Sequence, residues 1–129
     1  MKLIVKKGST DVRFSVFIQD SSVTTGAGRT GLAFNTASLV CYYARPGSAA
    51  AQLTLATQTV TGAHSDGGFV EVDATNMPGV YRLDLSDAVC ATGVDSVVVM
   101  LKGAATMVPC VLEINLVAYD PQSATNLGL

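Results

Sequence analysis

Four short apolar segments in the second half of the chain limit the folds that it can adopt. Each has the length and the β-branched or alternating composition of a strand, and they cover residues 69–73, 80–85, 96–102 and 111–119. Turn-forming residues separate them, including Pro78, Gly79, Gly93 and Gly103. These signals predict an all-β chain rather than an α/β one.

The first half of the chain continues this pattern. Apolar and more polar residues alternate between positions 12 and 19, which is typical of a strand with one buried face. The apolar members are Val12, Phe14, Val16 and Ile18. Further strands are predicted at residues 2–5, 38–44 and 52–60. Seven or eight strands at short, fairly regular spacing predict an antiparallel β-sandwich of immunoglobulin-like type. Because the chain has no Trp and no paired-cysteine signature, an antibody-type domain is excluded.

A single short helix is predicted between two of these strands, at residues 86–93. Ser86 can cap its first turn, Asp87 suits the positive end of a helix, and Gly93 suits the position after its last turn. The helix is therefore expected to act as a connector of one or two turns.

The length of 129 residues corresponds to one domain, which we assign to residues 1–119. Residues 120–129 are polar and begin with Asp120 and Pro121. They are predicted to lie outside the domain as an exit segment, and this segment could lead into a further module. No apolar run approaches the roughly 18 residues of a membrane span. Residues 1–7 have too few apolar residues for a signal-peptide core, so synthesis and folding in the cytoplasm of the producing cell are expected.

Charged residues are scarce in this chain. They make up 14% of the sequence, with a net charge of −2, whereas a typical domain has about 25%. Two interpretations remain open: a surface largely covered by neighbouring proteins, or simply an Ala- and Thr-rich β domain. The near-neutral balance argues against nucleic-acid binding, which requires a basic face.

The cysteines predict free thiols rather than a disulfide framework. Cys41, Cys90 and Cys110 are odd in number, far apart and without a CxxC pair. Buried thiols in a reducing compartment are the expected state, with a single disulfide as the alternative.

The glycines Gly26, Gly28 and Gly31 match the dinucleotide-binding pattern GxGxxG literally. That reading requires a preceding strand and a following helix whose N-terminus meets the pyrophosphate. The residues that follow lead into a strand instead. A turn-rich loop is the predicted structure, and no bound cofactor is expected.

His64, Asp66, Glu71 and Asp73 are the nearest approach to a metal or acid–base cluster. A metal site requires three or four convergent ligands. Glu71 and Asp73 are expected on one solvated strand face, with His64 on a separate loop, so no metal site is predicted. Calcium held by carboxylates and loop carbonyls is the alternative.

No catalytic residue is predicted. Nucleophilic catalysis needs a base beside Ser, Thr or Cys, and His64, the only histidine, is not preceded or followed by a nucleophile motif. Asp84 and Asp87 could be proposed as a glycosidase pair, but Asp84 is expected to point outward from its strand and Asp87 to begin a helix. The chain is therefore predicted not to be an enzyme.

A protein interface is the functional site that the sequence favours. Tyr42 and Tyr43 are adjacent on a strand, so one must face the core and the other the outside, where Tyr is a common contact residue. Lys6, Lys7 and Arg13, together with Lys2, form a basic group near the amino terminus that could touch an acidic neighbour or phosphate. The alternatives are an ordinary strand aromatic and lysines that protect an edge strand.

The order of these features resembles the amino-terminal domains of tailed-bacteriophage structural proteins, of the fibre and baseplate-upper-protein types. The resemblance lies in residues 3–18, in residues 68–71, in Met77-Pro-Gly-Val-Tyr-Arg-Leu-Asp-Leu-Ser-Asp and in residues 95–103. It implies an immunoglobulin-like sandwich that attaches to the virion by protein–protein contacts, and it implies no catalytic residues.

The sequence therefore leads to one main hypothesis and three alternatives. The main one is a virion structural protein, the anchoring domain of a tail, neck or baseplate fibre. It is assembled in the host cytoplasm with other virion proteins as a homo-oligomer, by expectation a trimer, without membrane or nucleic acid. The alternatives are a capsid-decorating protein, a carbohydrate- or receptor-binding module that uses Tyr42 or Tyr43 with His64 and Asp66, and an enzyme.

Overall fold

A computed structural model describes residues 1–123 as an all-β protein. Eight strands follow one another along the chain: β1 Lys2–Lys6, β2 Arg13–Phe17, β3 Val40–Ala44, β4 Ala51–Leu53, β5 Phe69–Asp73, β6 Met77–Asp84, β7 Ser96–Lys102 and β8 Cys110–Val117. Within this part of the chain there is no helix, and so none long and apolar enough to cross a membrane.

The strands form two sheets. A five-stranded sheet has the order β1-β8-β7-β3-β4, and a three-stranded sheet has the order β2-β6-β5. All pairs are antiparallel except β1 with β8, which run parallel from Lys2 opposite Glu113 to Lys6 opposite Val117. The all-β class and the strand number predicted from the sequence are confirmed.

One hydrophobic core joins the two sheets in a sandwich-like arrangement. Alternate residues of each strand point into it, as the two-residue period of a strand requires. The five-stranded sheet contributes Cys41, Val97, Val99, Leu101, Leu112 and Ile114, and the three-stranded sheet contributes Val16, Phe69, Tyr81 and Leu83. The rings of Phe69 and Tyr81 stack with centroids 4.9 Å apart. Complete burial of such side chains stabilises a fold by about 1.5–3 kcal/mol each.

The helix predicted at residues 86–93 is absent, and this prediction was wrong. The segment is a series of turns in which only the Val89 amide bonds back to the Ser86 carbonyl. Arg45 replaces the missing helical donors: its guanidinium donates to carbonyl oxygens at four nearby positions, at 2.7–3.2 Å. Those acceptors are Ala88, Val89, Ala91 and Thr92. A donor more than forty residues away therefore satisfies these carbonyls, and no helix is needed.

The strand predicted at residues 52–60 is mostly wrong as well. Only Ala51–Leu53 forms a strand, and Ala56 then makes an isolated bridge with Gly68. A β-carbon at Gly67 would lie 1.9 Å from the Thr54 carbonyl oxygen, so the two chain segments approach at a distance that only glycine allows. The chain between them, residues 57–66, forms a loop across the outer side of the three-stranded sheet.

The last strand ends at Val117, close to the predicted domain end at residue 119. Residues 124–129, which are most of the predicted exit segment, lie outside the described residues.

Candidate functional site

The outward side chains of the five-stranded sheet form an apolar surface around Tyr42. We call this surface the Tyr42 face and define it as Val40, Tyr42, Ala44, Val98, Met100 and Val111. It exists because the inward residues of β3, β7 and β8 are all apolar and their outward residues are largely apolar too. These strands are therefore hydrophobic on both sides, although only one side is covered.

The strand register makes these residues neighbours across adjacent strands. Met100 lies between Tyr42 on one neighbouring strand and Val111 on the other, and Val98 lies opposite Ala44. Side chains directly opposite each other on neighbouring strands are about 5 Å apart. Tyr42 is 36% exposed, and Val98 and Val111 are each 43% exposed. Together they form a continuous apolar patch rather than scattered exposed residues.

Polar residues surround this patch. Gln52 lies opposite Tyr42 on the edge strand, and Lys102 lies opposite Val40. On the other side Lys2 and Glu113 form an ion pair of 3.6 Å. An apolar centre with a polar rim is the usual composition of a protein–protein interface. Contiguous exposed apolar patches mark interaction sites far more often than single exposed residues do.

The other predicted interface residues lie in separate places. Tyr43 is half-buried and packs against the core, so Tyr42 is the outward member of the pair. Lys6 is exposed at the end of β1, and Lys7 Nζ lies 2.5 Å from Asp95 Oδ1. Arg13 belongs to the other sheet. The structure therefore does not unite the three basic residues in one patch.

Asp84 points away from the core, as expected from the sequence, but it is fully buried. Arg82 lies two residues before it on the same side of β6. Arg82 Nε lies 2.9 Å from Asp84 Oδ1, and Nη2 lies 3.1 Å from Oδ2. This two-point pairing matches the planar guanidinium to the carboxylate.

The loop of residues 57–66 covers this ion pair. Arg82 Nη1 donates to the carbonyls of Thr59, Val60 and Gly62 at 2.8–3.1 Å. The Asp84 carboxylate accepts from Gln58 Nε2 at 2.8 Å and from the Ser65 amide at 3.1 Å. The pair thus holds both ends of the loop against the sheet.

These contacts also decide how Asp84 ionises. Burial alone would raise its pKa, but the hydrogen bonds from Arg82, Ser65 and Gln58, with the positive charge of Arg82, outweigh burial and lower the pKa. Asp84 is therefore a stable carboxylate with its oxygens already engaged, as expected of a structural anchor. Asp87, its proposed partner, accepts from the Asp11 amide at 3.1 Å.

The cluster that sequence spacing suggested for metal is dispersed. His64 Nε2 lies 2.9 Å from the Leu85 carbonyl, and its Nδ1 lies 3.3 Å from Asp11. Glu71 accepts from the Gly31 amide, while Asp73 closes its own turn with Asn76. Glu71 is half-buried, so the solvated strand face expected for it was wrong. Among residues 1–123 no three His, Cys, Asp or Glu side chains are placed to hold a metal ion.

The glycine motif serves packing in this structure. A β-carbon at Gly28 would lie 2.1 Å from the Pro78 carbonyl oxygen, so the loop passes directly against β6. The Tyr81 hydroxyl secures the same loop, because it donates to the Arg29 carbonyl and accepts from the Leu32 amide. Burial raises the pKa of Tyr81. The predicted turn-rich loop is thus held firmly to the sheet.

No protein-family model, curated protein or solved structure matches the chain. The assignment of the site therefore depends on geometry.

Two features of the site were not recognised from the sequence. Val98, Met100 and Val111 could have been found, because alternation within the last two strands places them on one face with Tyr42. The pairing of Arg82 with Asp84 could have been suspected from their two-residue spacing. The burial of this pair could not have been predicted, because the loop that covers it is held by contacts between residues distant in sequence.

Proposed function

We propose that the two sheets form an immunoglobulin-like sandwich. The strand order supports this assignment: β2-β6-β5 faces a sheet in which β8, β7 and β3 are neighbours, as in the two sheets of that fold. The short β4 beside β3 corresponds to the extra edge strand of the variable type.

We propose that the chain is a bacteriophage virion structural protein, the anchoring domain of a tail, neck or baseplate fibre. The observation that carries this proposal is the Tyr42 face, a surface suited to a protein neighbour rather than to water. The mechanism is static: a rigid domain presents this face to adjacent virion proteins, and apolar burial supplies the binding free energy.

The dimensions of the face support such a contact. The sheet that carries the face has five strands of three to eight residues, spaced about 4.8 Å apart, so its whole outer side measures roughly 24 by 18 Å. A stable interface buries about 800 Å² per partner, so a partner bound at the Tyr42 face also contacts its polar rim and an adjoining loop. Exposed Tyr at the centre of such a patch is a frequent source of binding energy.

The thiols and the low charge support assembly in the host cytoplasm. Cys41 and Cys90 are buried and Cys110 is half-buried, and all three are free. Free thiols persist in a reducing compartment. A surface with few charges is also suited to a subunit that is covered in the particle, and a homo-oligomer, by expectation a trimer, is the form that we propose.

Analysis of purified particles tests the class of protein. Peptides of this chain should be found by mass spectrometry in particles purified from the producing host, and antibody labelling should locate them on the tail. Labelling of the head would instead favour a capsid-decorating protein. Absence from purified particles, with the chain present in the infected cells, would overturn the proposal.

Native mass spectrometry of the full gene product tests the face itself. Val98→Glu places a charge on the Tyr42 face, between Ala44 and Glu113, and should convert the oligomer to a monomer. Val23→Glu is the matched control, since Val23 has a similar exposure of 41% on a loop elsewhere, and it should leave the oligomer intact. Equal behaviour of the two variants would contradict the role of the face.

A further inference from the structure

A cavity on the outer side of the three-stranded sheet has an uncompensated positive charge. Its volume is about 430 Å³, and it lies between β2, the loop at Val60 and Thr61, and Val72 of β5. This volume is within the usual range for small-molecule sites, roughly 300–1,000 Å³. The cavity is on the sheet opposite the Tyr42 face, so it is a separate site.

Arg13 supplies the charge. Its register partner on β6 is Asp84, which would be the natural counterion. The Asp84 oxygens, however, already accept from Arg82, Gln58 and Ser65. Within residues 1–123 the Arg13 guanidinium has no ion pair or hydrogen bond. Arg82 also borders the cavity, but Asp84 balances its charge. The site therefore has a net charge of +1, which Arg13 supplies.

The remaining walls suit a ligand with both a carboxylate and a larger body. Ser15 and Thr61 border the cavity, and neither hydroxyl has a partner within the described chain. Val60 and Val72 add apolar surface. A guanidinium binds a carboxylate through two parallel hydrogen bonds, and one positive charge balances one carboxylate. The hydroxyls can hydrogen-bond to the polar edge of a sugar ring, and the aliphatic side chains can contact its apolar face.

We propose that this cavity binds a small monocarboxylate of about the size of an acidic monosaccharide. Arg13 binds the carboxylate, Ser15 and Thr61 hydrogen-bond to hydroxyl groups of the ligand, and Val60 and Val72 contact its body. The covering loop is held by Arg82 and Asp84, so this side of the cavity is formed before the ligand arrives.

Nuclear magnetic resonance titration of the full chain with glucuronate tests the proposal. The amides of Ser15, Thr61 and Val72 should shift saturably, with a Kd on the order of 1 mM. Glucose, which has a similar ring without the carboxylate, should produce no saturable shift. Inorganic phosphate should bind more weakly, since it lacks the body that the apolar walls contact.

Two variants with the same change in charge complete the test. Arg13→Gln should weaken glucuronate binding by about tenfold or more, as expected for loss of a hydrogen bond to a charged group. Lys6→Gln, on the other sheet, should leave the Kd unchanged. Any of four outcomes would overturn the proposal. Two concern the wild type with sugars: no saturable binding of glucuronate, or binding of glucose as tight as that of glucuronate. The other two are phosphate binding at least as tight as glucuronate binding, and equal changes in the Kd for glucuronate in the two variants.

Discussion

At the scale of single residues, the Arg82–Asp84 pair has the largest structural consequence. It lies outside the core, on the side of the sheet that sequence alternation assigns to solvent, and it is buried only because a loop folds over it. Burying a charge is costly unless it is paired and hydrogen-bonded. Here each hydrogen-bond partner of the two side chains belongs to the loop or to the pair itself, so the loop and the ion pair stabilise one another.

Replacing Asp84 with Asn should reduce the free energy of unfolding by about 3–5 kcal/mol, because Arg82 would remain buried without its counterion. Urea denaturation of the purified chain measures this. Asp66→Asn is the matched control: the same chemical change on an exposed residue of the same loop, expected to fall within about 0.5 kcal/mol of wild type. Similar losses in both variants would contradict the anchoring role of Asp84.

The same pair predicts a dependence on pH. The pKa of Asp84 is lowered in the folded chain, below the unfolded value of about 3.9. Ionised Asp84 therefore stabilises the fold above about pH 4, and this contribution is lost as the pH falls through the folded pKa. The difference in stability between wild type and Asp84→Asn should consequently narrow below about pH 4 in the same denaturation experiment.

At the scale of elements, the strands were predictable and the connections were not. Alternation within residues 12–19 and 111–119 and the continuous apolar run at residues 96–102 are local signals of strands, so those strands appear where expected. Residues 86–93 have a local helix signal, yet Arg45 satisfies their carbonyls from a distant strand end. The three-residue β4 and the covering loop likewise depend on contacts that cross between segments. Each of these wrong predictions is explained by contacts between residues that are distant in sequence.

Arg45→Lys should loosen the segment of residues 86–93, because an ammonium group cannot reach the four carbonyls that the planar guanidinium contacts. We expect a loss of about 1–3 kcal/mol and faster hydrogen exchange at the Val89 amide. Arg13→Lys makes the same change where the guanidinium has no internal partner, and it should alter neither quantity. Unchanged exchange in Arg45→Lys would show that the turns hold without this side chain.

At the scale of the whole molecule, the fold protects its thiols. Burial raises the pKa of Cys41 to about 12 and that of Cys90 to about 11, and it also raises the pKa of Cys110. Since the thiolate is the reactive form, the native chain should react with a thiol reagent at pH 8 only slowly, through the half-buried Cys110. All three should react after unfolding in urea. Cys110→Ser should abolish the slow native reaction, and rapid modification of Cys41 in the folded protein would contradict this account.

The parallel pairing of β1 with β8 has a mechanical consequence for the molecule. Met1 lies at one end of this strand pair, and Val117 lies at the opposite end. Tension applied between these two points pulls the strands lengthwise past each other. The ladder is then loaded in shear, so that its hydrogen bonds share the force instead of opening one after another. A domain pulled at these two points should therefore resist extension.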